Sequence, residues 1–166
     1  MKVLRLLPLV LLVASTPLTI VKTSSVVSDP QGNLLPKRVP GALVDYTATI
    51  TNPNSVVSTV NGVTFADAIP TNTLLYVADI GTLPGSGPVV YADGLLPPSL
   101  LSYTFSGLGS ATDRLDFSRD NGASWTYTPV ADANGTDSNV TNIRVRLGGN
   151  QVAGSSFSIR FRVQVR

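Results

Sequence analysis

The chain of 166 residues has no cysteine, no histidine and no glutamate, and holds one tryptophan and one methionine. Without cysteine there are no disulfides and no thiolate metal sites, so stability must come from the core and from backbone hydrogen bonds. Without histidine, neither a Ser-His-Asp triad nor a His-ligated metal centre can be assembled. No glycine-rich phosphate loop follows a strand and opens a helix. Paired aspartates can in principle cleave a glycoside, but no pair has a recognisable setting. A non-catalytic role with no firm metal site is the expectation. Charge is sparse at 13%, with every acidic residue an aspartate, and long amphipathic helical patterns are missing.

What remains is a hydrophobic fraction of 43% embedded in Thr, Ser, Asn, Gly and Pro. That is the composition of an all-β, turn-rich protein of one domain. Met1 to Thr16 reads as a secretory signal: Lys2 and Arg5 lead the apolar run Leu6 to Val13, and small Ala14 and Ser15 follow. The run is far short of the roughly 20 residues a spanning helix needs, and Pro8 interrupts it. Secretion is therefore expected, to the extracellular space or cell surface, with no transmembrane span. Cleavage would remove two of the twelve basic residues and leave a formally neutral protein, which disfavours nucleic acid as a partner.

From Val44 to Thr51, Val44, Tyr46, Ala48 and Ile50 alternate with Asp45, Thr47, Thr49 and Thr51, the period of a half-buried strand. It ends at Asn52-Pro53-Asn54-Ser55. Val63 to Ile69 starts a second strand that stops at Pro70, and Leu74 to Ile80 and Val89 to Tyr91 supply further strand-like runs. Tyr103 to Phe105 is a candidate start of the next element. Leu115 and Phe117 face Trp125 and Tyr127 across Asp120-Asn121-Gly122 in a hairpin-like pattern. Ile143, Val145 and Leu147 alternate with Asn142, Arg144 and Arg146, and Phe157 to Val165 alternates with Ser158, Arg160, Arg162, Gln164 and Arg166. About eight or nine short strands call for a two-sheet antiparallel sandwich over 41–166. Residues 17–40 form a lead-in, with a strand candidate at Leu18 to Val27 and a turn at Asp29-Pro30-Gln31-Gly32-Asn33.

The strings Val44-Asp45-Tyr46-Thr47-Ala48-Thr49-Ile50-Thr51-Asn52, Val63-Thr64-Phe65-Ala66-Asp67-Ala68-Ile69-Pro70 and Leu75-Tyr76-Val77 resemble the conserved-repeat domain of unknown function found in bacterial and archaeal surface proteins. Lys22-Thr23 is similar to that family's opening strand, and Phe157 to Val165 to its last. The resemblance implies an Ig-like sandwich, usually a tandem module of adhesins, stalks or envelope proteins. One copy of the pattern is present here. The implication is either a small surface module or a subunit that builds length by polymerising.

Four groups of residues are candidate sites. Ser118-Arg119-Asp120-Asn121-Gly122-Ala123-Ser124-Trp125 fits the Asp-box pattern: Ser118 and Asp120 hold a turn, Gly122 supplies positive φ, and Trp125 covers the hairpin or presents a face to carbohydrate. Asp132, Asn134 and Asp137 resemble half of a calcium loop, short of the 6 to 8 oxygens a complete site needs. Arg144, Arg146, Arg160, Arg162 and Arg166 form a stripe on two strands expected to be neighbours. Because facing like charges destabilise a sheet, either aspartates lie opposite or an anionic partner does. Leu18, Ile20, Val26 and Val27 are candidates to insert into a neighbouring subunit, although the same segment can pair within its own sandwich. The leading expectation is a subunit of an extracellular filament or sheath, self-associating into a homopolymer by strand donation. The alternative is a monomeric adhesin or binding module for surface polysaccharide, calcium or an anionic polymer.

Overall fold

The structure is a computed structural model that describes residues 16–55 and 58–166. The expected secretory signal lies outside the described residues, apart from Thr16. Eleven strands follow in order: β1 (Thr19–Ser28), β2 (Leu43–Thr51), β3 (Val60–Asn61), β4 (Thr64–Ala68), β5 (Thr73–Tyr76), β6 (Val89–Asp93), β7 (Leu115–Ser118), β8 (Thr136–Asp137), β9 (Asn142–Arg146), β10 (Asn150–Gln151) and β11 (Ser156–Val165). Every paired strand is antiparallel, and the protein is an all-β sandwich as its composition predicts. No helix among the described residues is long and apolar enough to cross a membrane.

The larger sheet runs β1-β2-β11-β5-β8, with β6 also paired to β11; the smaller runs β4-β9-β7, and β3 and β10 form a two-stranded ribbon. The hub is β11. One edge of β11 pairs with β2 along nine residues, and its other edge is shared between β6 and β5. Its alternation supplies Phe157, Ile159, Phe161 and Val163 to the core, where they meet Val44, Ala48 and Ile50 from β2, Ile143 and Val145 from β9, and Phe117 from β7. This is the period-2 pattern of a sheet with one buried face.

Three local expectations change. Tyr103 to Phe105 forms no strand, and the neighbouring Ser102 makes only a single bridge to Gly148. The hairpin after β7 also reduces to one bridge, Phe117 to Tyr127, because the chain leaves the sheet after the turn. The two arginine-bearing strands are not neighbours: β9 belongs to the smaller sheet and β11 to the larger.

Asn52, where β2 ends, ties the lower corner together and is fully buried. Its Nδ2 donates to the carbonyls of Ser58, Gln151 and Val152, and its Oδ1 accepts from the N–H and Nδ2 of Asn54. Asn54 in turn binds both backbone groups of Thr16, accepting its N–H at 2.6 Å and donating to its carbonyl at 2.7 Å. The start of the described chain is thus pinned beside the end of β2, which sets where β1 begins.

Candidate functional site: the open edge of the sandwich

Every residue of β1 is exposed except Val26. Its register on β2 pairs Ile20 with Ile50, Lys22 with Ala48, Ser24 with Tyr46 and Val26 with Val44. Paired residues share a face, so Ile20, Lys22, Ser24 and Val26 point toward the smaller sheet. Leu18 and Val26 pack on the core. Ile20, 58% exposed, lines a groove of about 230 Å³ with Leu18, Ile50, Phe65 and Phe157. Val27 differs from the other insertion candidates: it lies in a bulge between Val26 and Ser28 and remains exposed.

Across the groove stands β4. Among the described residues β1 pairs only with β2, and β4 only with β9, so both present an open edge on the same side. The N–H of Leu147 donates to the Val63 carbonyl, and that of Ile69 to the Thr141 carbonyl. Because backbone groups alternate along a strand, Thr64, Ala66 and Ala68 turn theirs outward. Their side chains are small, uncharged and exposed. Such an edge carries none of the outward charge or proline that normally discourages strand addition.

Lys22 and Asp67 close this side. Lys22 Nζ lies 2.5 Å from Asp67 Oδ2, and 4.9 and 5.5 Å from the ring centroids of Tyr46 and Phe161. Those two rings stack at 5.7 Å. No other partner is available to Asp67 Oδ2. Neither residue was among the sequence-level site candidates. The available signal was that Lys22 occupies the apolar phase of Leu18, Ile20 and Val26.

Beyond Ser28, residues 29–42 connect β1 to β2. Asp29 organises their first part, accepting from the N–H of Gln31, Asn33 and Lys37 and from Asn33 Nδ2. The Asn33 side chain and the Lys37 N–H do most to hold its carboxyl at about 2. Pro30, Pro36 and Pro40 disfavour helical backbone at the residues before them, Asp29, Leu35 and Val39. Arg38 donates to Ser24 Oγ at 2.8 Å.

The other candidate groups resolve into local structure. Arg144 and Arg146 both bind Asp116 within the smaller sheet, at 2.8 and 2.7 Å. Arg160 and Arg162 bind Asp45 within the larger, at 2.5 and 2.6 Å. Asp45 lies opposite Arg162 and Asp116 opposite Arg144, with Arg160 and Arg146 reaching the same carboxylates diagonally, and the Arg166 N–H donates to the Asn72 carbonyl. Burial pushes the Asp45 carboxyl up, but hydrogen bonds and charge from Arg162 and Arg160 outweigh it and leave it below the usual carboxylate value.

In the Asp-box, Ser118 Oγ donates to Asp120 at 2.7 Å and accepts the Gly122 N–H at 2.8 Å, while Ser124 donates to Asp120 through both its N–H and its hydroxyl. Bonds from the Ser118 and Ser124 hydroxyls, chiefly, lower the Asp120 carboxyl to about 2. Asn121 and Gly122 sit at φ +57° and +84°, which only glycine and asparagine adopt cheaply. The Arg144 guanidinium lies 4.7 Å over the Trp125 ring, and Arg119 lies 5.7 Å over Tyr127.

Asp132 accepts from the N–H groups of Asn134 and Thr136 and from the Thr136 hydroxyl. Asp137 accepts from Tyr127, Val130 and Asn139. Asp132 thus serves its own turn, Asp137 ties the Tyr127–Val130 segment to its own, and Asn134 is exposed. Among the described residues no three His, Cys, Asp or Glu side chains gather in a metal-binding group.

Comparison with protein-family models, curated proteins and solved structures finds no match to this chain.

Proposed function

We propose that this protein is a secreted structural subunit of a cell-surface filament or sheath, and that copies assemble by placing β1 of one against β2 of the next. The observation that carries the reading is β1 itself: ten residues held by one ladder, exposed almost throughout, on a long connection. Extended at about 3.1 Å per residue, the connection 29–42 reaches on the order of 40 Å. A ten-residue strand is itself about 34 Å long. The segment can therefore leave its own sandwich and occupy the same seat in a neighbour, keeping every contact of the seat.

The role is architectural and involves no catalysis. The adhesin alternative draws less support. An arginine, Arg144, lies over the Trp125 face that would receive a sugar, and four of the five arginines expected to hold an anion are already paired inside their own sheets to Asp45 or Asp116.

Electron microscopy of the full chain and of a variant lacking Leu18 to Val27 tests the proposal. Ordered fibres should form from the first and be lost from the second. Fibres that survive the deletion contradict strand donation, and a full chain that stays monomeric at every concentration contradicts the filament.

A further inference from the structure

We infer that Lys22 and Asp67 are the recognition pair of this assembly: Asp67 on β4 of one copy receives Lys22 on β1 of a second copy. The inference rests on the proposed exchange and adds the residues that choose partner and register.

Among the described residues, Lys22–Asp67 is the one ion pair that joins the two sheets, since the arginine pairs each stay inside a single sheet. Lys22 stands on the inner face of β1, where Ile20 and Val26 point to the groove and core. An ammonium there, on a side chain 34% exposed, is partly desolvated and gains from a carboxylate partner. Asp67 meets it, and the stacked rings of Tyr46 and Phe161 lie beside it. In return Asp67 Oδ2 has no other partner. A strand that slips by two residues brings Ile20 or Ser24 to this position and leaves the carboxylate alone; a foreign strand without a basic residue does the same. The pair thus accepts one register of one sequence and penalises the rest. A second copy of this chain is the occupant that fits, because β1 already fills the seat with matched charge and ladder.

The test is charge-reversal complementation with the full chain. Lys22→Asp and Asp67→Lys are prepared separately, and pelletable assembly is measured for each alone and for an equimolar mixture refolded together. Each variant alone should assemble at least tenfold less than the wild type, and the mixture should return to the wild-type level. If the wild type assembles and either folded variant assembles equally well, or the mixture shows no recovery, the recognition pair is wrong while the exchange stands. A wild type that never assembles removes the exchange itself.

Should a single variant fail to fold, the native absence of cysteine supplies a second measurement. Lys22→Cys and Asp67→Cys proteins, assembled together and treated with a short bis-maleimide, should give a covalent dimer joining one chain of each kind. Recovery of only single chains from assembled material overturns the inference.

Discussion

Replacing Asn52 tests the corner that locates β1. The side chain is fully buried and makes hydrogen bonds to Ser58, Gln151, Val152 and Asn54 at 2.8 to 3.2 Å. Asn52→Ala removes about three net hydrogen bonds at about 1 kcal/mol each and strands buried carbonyls without a donor, for a loss of about 3–5 kcal/mol. At about 2–4 °C per kcal/mol for a domain of this size, the melting temperature should fall by roughly 10 °C. Asn52→Asp is nearly isosteric, yet its carboxylate would face three carbonyl oxygens. Those dipoles raise its folded-state pKa above the unfolded value, so the variant should lose stability as pH rises from 4 to 7. Urea titration followed by the fluorescence of Trp125, the single tryptophan, measures both effects at constant m-value. A loss under about 1 kcal/mol for Asn52→Ala, or a pH-independent Asn52→Asp, would refute the corner's energetic role.

The remaining predictions concern the charged and aromatic groups. Asp45 has its carboxyl below the usual value, so its contribution is complete above about pH 3.8 and is lost as pH falls through the lowered value. Because its side chain is only 8% exposed, Asp45→Asn should cost about 2–3 kcal/mol at pH 7 and flatten the acid limb of the stability curve. Asp120→Ala should speed amide exchange at Ser124 severalfold and leave assembly unchanged, since its bonds close a single turn. Trp125→Ala should cost about 1 kcal/mol through the lost Arg144 contact and should not alter retention on immobilised polysaccharide; a loss of retention in folded protein would favour the adhesin.

The sandwich could be read from alternation wherever a strand has one buried face, as in β2, β9 and β11. The two-residue strands β3, β8 and β10 are too short to carry a period. The hub position of β11 was hidden for another reason: its partners are set by contacts across 60 to 120 residues, which no local pattern records. The same distance separated the arginines. Arg160 and Arg162 find Asp45 over a hundred residues away, so pairing to aspartate and binding of an anionic partner both stay open until the register is known. Lys22 was legible as a charge in an apolar phase, but its answer at Asp67 belongs to the other sheet.

The central claim, that β1 of one copy sits on β2 of another, is tested most directly by a distance across that ladder. Thr23 and Thr47 are register partners, with Cα atoms about 5.5 Å apart in such a hydrogen-bonded pair. A chain spin-labelled at both positions and assembled in a large excess of unlabelled protein should lose the short label-to-label distance in pulsed electron resonance, because each labelled strand pairs with an unlabelled neighbour. A short distance that persists undiminished in assembled, diluted material would place both strands in one chain and contradict the account.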